Sequence, residues 1–222
     1  MKTSSMSLVL AGISSSLVLV GGVNPVRAAV LIGNLPQNND NGGAFLASPT
    51  NVKALAFTLP AGNNYSLDNA ILRLDSYATG ETPLVQIRND GGSNPGSTVL
   101  ASFTNPTAQG AGIFNYTFTP TSPFTFAAGT KYWLYVTSTS GQFGWNASSP
   151  SITPTGIATS SGARVSTNSG GSFSNSTILN SFQINATEIT GPVASTPEPS
   201  AIAALSLFGL ILLGVKSPRN EE

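Results

Sequence analysis

An all-β domain of the β-sandwich or jelly-roll kind is what three features of this chain predict. Only 8% of the 222 residues are charged, against 40% hydrophobic, with 23 Gly and 15 Pro; a soluble domain ordinarily carries about a quarter charged residues. The polar remainder is mostly Ser, Thr, Asn and Gln. Together with β-branched and aromatic residues, these suit half-buried strands and turns better than helices. Short stretches of period two recur at intervals of roughly 8 to 12 residues between clusters of turn residues, and no sustained helical period stands out between the two terminal apolar runs. Sheets packed face to face would bury alternate residues of each strand, as these patterns offer.

Charge and composition also bound the chemistry. The formal net charge is zero and Lys53, Arg73, Arg88, Lys131 and Arg164 are scattered, which argues against nucleic acid as a partner. The chain has no Cys and no His. Disulfides, thiolate metal sites, cysteine nucleophiles and the commonest general base are removed together. The expectation is a non-enzymatic protein with no metal and no cofactor.

The N-terminus has the parts of a secretory signal peptide, residues 1–28. Lys2 precedes an apolar run from Ser7 to Val23, and Val26-Arg27-Ala28 places small residues where signal peptidase cuts, so cleavage is expected after about Ala28. A retained membrane helix is the alternative, but Gly12, Ser14, Ser15, Ser16, Gly21 and Gly22 dilute the run. The folded domain is then expected over residues 29–189. Val30, Leu31 and Ile32 start a first strand, and the loop from Gln37 to Gly43 is built of residues that tolerate left-handed backbone. A calcium loop there would have one carboxylate, Asp40.

The following strands are read from their alternation. Leu55, Phe57 and Leu59 share one face of Ala54 to Leu59; Leu72 and Leu74 oppose Ile71, Arg73 and Asp75; Val85 and Ile87 point inward with Gln86 and Arg88 outward. The dense turn cluster from Asn89 to Gly96 leads to a strand from Thr98 to Phe103, a hairpin with an elaborate loop. No helix signal follows its Gly pair, as a phosphate loop would require. Ile113 to Thr119 alternates aromatic and polar residues, and Lys131 to Thr137 is the strongest strand by β propensity. From Ala147 to Asn180 the apolar residues are isolated, as in a hairpin with long loops, and Ser181 to Thr187 closes the domain with Phe182, Ile184 and Ala186 on one face.

Residues 190–196 read as a linker to a tail of distinct composition, 197–222. It comprises Pro197-Glu198-Pro199, an apolar helix over 201–215, and then Lys216 and Arg219. As a helix the run would be a single transmembrane span of about 22 Å against about 30 Å of hydrocarbon, marginal for a permanent anchor. Lys216 and Arg219 orient it with the C-terminus cytoplasmic and the β domain outside. This order of features resembles the PEP-CTERM sorting signal of bacterial exported proteins. The resemblance implies export, transient retention in the inner membrane, and recognition by an exosortase that cuts near the motif. The tail is then a disposable address, and signal peptidase and exosortase are the processing partners.

A second resemblance covers the exported part. Leu55-Ala56-Phe57-Thr58-Leu59-Pro60-Ala61-Gly62, Asn89 to Gly96, Ala127 to Leu134 and Trp145-Asn146 resemble the choice-of-anchor domains found with such tails, in particular type R. It implies fold and destination, a cell-surface or extracellular location, and carries no activity.

Two kinds of site remain open. A glycosidase-like pair needs two carboxylates across a cleft, and Asp75 and Glu81, which flank a loop, are the candidates; no Gly-x-Ser-x-Gly elbow is present. The alternative function is a carbohydrate-binding module acting on extracellular polysaccharide, because aromatic faces stack on sugar rings while Asn and Gln bond hydroxyls. Its candidate residues are Trp133 and Tyr135 on one strand face, and Trp145 with Gln142 and Asn146. Against it stands the ordinary packing role of large aromatics in sandwiches. Tyr132, Leu134 and Val136 occupy the opposite strand face, so one of the two sets should point away from the core. Mass spectrometry of the mature protein from its native host is expected to show an N-terminus near Ala29 and loss of the tail at the Pro197 motif; an intact chain would refute both processing steps.

Overall fold

The computed structural model describes residues 28–189. The expected signal peptide up to Arg27, the linker and the tail, including Pro197, Glu198, Pro199, the 201–215 run, Lys216 and Arg219, lie outside the described residues. Thirteen strands lie among the described residues: β1 (Ala28–Gly33), β2 (Ala44–Ala47), β3 (Val52–Thr58), β4 (Asn64–Asp75), β5 (Thr82–Asp90), β6 (Pro95–Thr104), β7 (Ile113–Pro120), β8 (Thr125–Phe126), β9 (Lys131–Ser140), β10 (Phe143–Asn146), β11 (Thr159–Ser166), β12 (Ser174–Ser176) and β13 (Phe182–Ile189). The domain is all-β, and no helix among the described residues is long and apolar enough to cross a membrane.

The ladders are antiparallel and form one open path, β1-β13-β4-β7-β6-β5-β9-β3-β11-β12. β4 is the backbone of one half. It pairs with β13 and then β10 along one side, and with β8 and then β7 along the other. β9 and β3 are the centre of the other half, flanked by β5 and β11. The halves meet at a narrow joint between β6 and β7, made by Phe103 opposite Pro120 and Thr104 opposite Thr119.

One apolar core takes its side chains from both halves. Leu72, Leu74, Tyr116, Phe118, Phe182 and Ile184 come from the β4 half; Leu55, Phe57, Val85, Ile87, Leu134 and Val136 come from the β9 half. Leu55 with Phe57, Leu72 with Leu74, Val85 with Ile87, and Phe182 with Ile184 are the pairs that the alternation puts on one strand face; for β9 it left open which of the two sets turns inward, and the core takes Leu134 and Val136. Phe57 meets the edge of Phe126 at 5.7 Å between centroids, and Phe126 meets Tyr132 at 5.1 Å, so β3, β8 and β9 are locked by perpendicular rings.

The central strands differ from the expectation of one buried and one wet face. Every residue of β3 from Val52 to Phe57 is buried, and so is every residue of β9 from Tyr132 to Ser138. The face of β9 opposite the main core carries Trp133 and Tyr135. These rings form a second cluster with Val52, Ala54 and Ala56, covered in part by Phe173. Ala56 is the register partner of Trp133, and Ala54 of Tyr135. The small side chains of β3 make room for the large ones of β9.

Phe57→Ala is expected to cost about 3–5 kcal/mol, since it empties a fully buried site. Phe114→Ala, at a partly exposed position of β7, should cost about 1 kcal/mol or less. Equilibrium urea unfolding of both variants compares the two.

Candidate functional site

Trp133 is 1% exposed and Trp145 is fully buried, so neither indole presents a face to solvent. Trp133 donates its Nε1–H to Asp90 Oδ1 at 2.8 Å, and the Lys131 ammonium lies 3.0 Å from the same oxygen and 5.0 Å from the indole centroid. Burial works to raise the Asp90 carboxyl; the hydrogen bonds from Trp133 and Lys131 and the Lys131 charge outweigh it and hold the group below its usual value. Tyr135 lies under the Arg88 guanidinium, whose central carbon is 3.5 Å from the ring centroid. Gln86 Oε1 anchors that guanidinium, accepting from Nε and Nη2 at 3.0 and 2.8 Å. The candidate strand face is therefore a packed second core roofed by cations.

The Trp145 group divides. Gln142 is exposed, whereas Asn146 is buried. Trp145 Nε1–H donates to the Ser181 carbonyl at 2.9 Å, and Asn146 Nδ2 donates to Asp40 Oδ1 at 3.0 Å. Arg73 clamps Asp40 through Nε and Nη2, both at 2.6 Å, and its hydrogen bond and charge hold that carboxyl below its ordinary value despite partial burial. The loop weighed as a calcium site thus has its carboxylate occupied by a guanidinium. Gly42 lets this loop press on the strand end that follows β10: a Cβ there would lie 2.5 Å from the Ser148 carbonyl oxygen and 2.6 Å from that of Ala147.

The remaining carboxylates have local duties. Asp75 accepts from Ser76 Oγ, Glu81 from the Ala78 N–H, Asp68 from Thr187 Oγ1 and Glu188 from Asn63 Nδ2. Asp75 and Glu81 each cap a neighbouring turn residue, and no bond joins the two.

The group that sequence reasoning missed is Lys53. The sequence shows it as one of several scattered cations, yet the residue is 2% exposed. It lies on the face of β3 that carries Leu55 and Phe57, with Val136 and Val165 as register partners. The available signal was its parity: two residues before Leu55, on the inward side of a run that begins at Val52. Its Nζ donates to Ser176 Oγ at 2.5 Å and sits 5.7 Å from the Phe45 ring centroid. Among the described residues the ion pairs are Arg73–Asp40 and Lys131–Asp90, and Lys53 belongs to neither. Burial alone pulls its ammonium down to about 8.

A cavity of about 480 Å³ opens over Lys53, between β2 on one side and the β11–β12 hairpin on the other. Fold and site together define an all-β domain with a cleft between two short edge strands and one buried ammonium in its lining. Comparison with protein-family models, with curated proteins and with solved structures finds no match.

The Lys53 ammonium titrates at about 8 in the folded chain and at its ordinary 10.5 when unfolded. Between these values the unfolded chain holds more protons, so the contribution of Lys53 to stability is lowest below about pH 8 and rises towards pH 10.5. A shift of this size corresponds to about 3 kcal/mol. Lys53→Met is expected to be more stable than the parent at neutral pH and to lack that alkaline rise. Chemical unfolding at neutral pH and near pH 10.5 measures the difference, and parallel pH profiles for parent and variant would refute it.

Proposed function

We propose that this chain is an exported, non-enzymatic bacterial cell-surface or extracellular-matrix protein, sorted by an exosortase through its PEP-CTERM-like tail after signal peptidase removes the leader. The observation that carries the reading is the order Pro197-Glu198-Pro199, apolar run, Lys216 and Arg219 at the end of the chain. The described residues are its outward-facing domain, a β-sandwich of the choice-of-anchor kind. Support for the sandwich comes from the main core, shared by residues of β3 and β9 with residues of β4, β7 and β13, which among the described residues lie in separate runs of ladders joined at β6 and β7.

The placement of the chain ends fits such a protein. β1 and β13 are neighbours, and Ala29, near the expected mature N-terminus, lies opposite Ala186. A chain led out by its N-terminus and held briefly by its C-terminus is thereby attached at one end of the domain, leaving the other free. The non-enzymatic reading draws support from the carboxylates, which hold turns and ion pairs rather than facing one another across a cleft.

Deleting Pro197 to Glu222 is expected to leave a folded domain that is secreted into the medium and no longer held at the cell surface. Cell fractionation with immunodetection tests it, and an unchanged surface location in the deletion strain would refute the sorting role.

A further inference from the structure

The cleft over Lys53 combines three features that ordinary packing does not require. Its walls are apolar, from Phe45 and Leu46 of β2, Val165 of β11, and Ile178 just after β12. Leu46 and Ile178 stand 46% and 49% exposed, among the most exposed large hydrophobic residues described. Among the described residues, the only charged group in the lining is the Lys53 ammonium. Both strands at the mouth are edges, β2 pairing only with β10 and β12 only with β11 among the described residues.

A lysine ammonium has three N–H donors. Here one is taken by Ser176 Oγ, and no carboxylate lies within ion-pair distance among the described residues. Burying an ammonium without a counter-charge is costly, and one acceptor hydroxyl repays little of it. An anion entering the cleft would restore the missing partner, and its hydrocarbon would cover the exposed leucine and isoleucine.

We propose that this cleft binds a monoanionic amphiphile, a carboxylate carrying an apolar chain, with the carboxylate on Lys53 Nζ and the chain along Phe45, Leu46, Val165 and Ile178. The single positive charge matches a monoanion; a phosphate monoester or a polyanion would keep uncompensated charge in an apolar cleft. A sugar finds few hydroxyl partners there, since Asn51, Thr167 and Ser176 are the polar neutral side chains of the lining. The cavity of about 480 Å³ falls in the range of small-molecule sites, about 300–1,000 Å³.

Its position suits an exported domain, though the inference does not depend on export. Asn64, at the start of β4, lies opposite Ile189. The turn before Asn64 is tied to the start of β9 through Pro60 and Gly129, and Thr58 lies opposite Lys131. The Thr58 end of β3 is thus the end where the chain leaves the domain, and Lys53 is five residues further along, about 17 Å away in an extended strand. The cleft thus lies towards the other end of β3.

The test uses the full chain in lipid nanodiscs, titrated with octanoate in a calorimeter, with empty nanodiscs as the reference and octylammonium as the charge-reversed probe. Saturable one-to-one binding of octanoate is expected, with none for octylammonium. Lys53→Met should weaken octanoate at least tenfold while keeping the near-ultraviolet circular dichroism of the parent. Leu46→Glu, at the exposed rim, should weaken it several-fold through like-charge repulsion, and this variant decides the matter if Lys53→Met loses its native spectrum. Octanoate heat no greater than that of empty nanodiscs overturns the proposal, as does unchanged affinity in the folded variants. Equal binding of octylammonium, as expected if an apolar segment or chain merely covers the edges of β2 and β12, overturns it too.

Discussion

The central strands β3 and β9 are covered on both faces, and much of the domain is arranged to cover the second one. Their inward face is an ordinary apolar core in which Leu55, Phe57, Leu134 and Val136 meet the side chains of β4, β7 and β13. Their other face would leave Trp133 and Tyr135 in water. It is closed by Phe173 from the loop before β12, by Arg88 over Tyr135, and by Lys131 with Asp90 at Trp133. Two of the few charged groups in a chain with so little charge thereby act as lids on aromatic rings, where a cation is favourable without being fully desolvated.

The same two-sided burial places Lys53 where no cation is comfortable. Position 53 has the parity of Leu55 and Phe57, so a strand that buries both faces must bury it as well. The chain answers with a hydroxyl from β12 and an open cleft rather than with a carboxylate. An uncompensated ammonium in an apolar lining costs stability, and such a cost is commonly retained where a site has work to do.

Much of the strand pattern was legible. The inward sets Leu72 and Leu74, Val85 and Ile87, Phe182 and Ile184 follow from period two alone, because each lies on a strand with one face buried and one at least partly open. β2 and β8 were not identified as strands, being four and two residues long; segments so short have no periodicity to read and exist through their partners β10 and β4. The Asn and Gly loop was read as turn chemistry, and its actual role is to carry Asp40 to Arg73 and to let Gly42 approach the carbonyls after β10. The aromatic candidates were visible as residues, but whether a ring on the outer face of β9 meets a sugar or Phe173 is decided by a segment some forty positions away in the chain.

From the sequence alone come the class of the domain, all-β, and the inward side chains of its half-buried strands. These depend on composition, on period-two alternation and on local motifs, all of which act over a few residues. Tertiary structure alone decided which strands are central and therefore covered twice, that Trp133 and Trp145 are packed rather than presented, and that Lys53 lines a cleft. Those outcomes depend on long-range pairing of β3 with β9 and β11 and on the covering segments around them. Burial is a property of what lies opposite a residue, and in this chain the opposite wall comes from remote sequence.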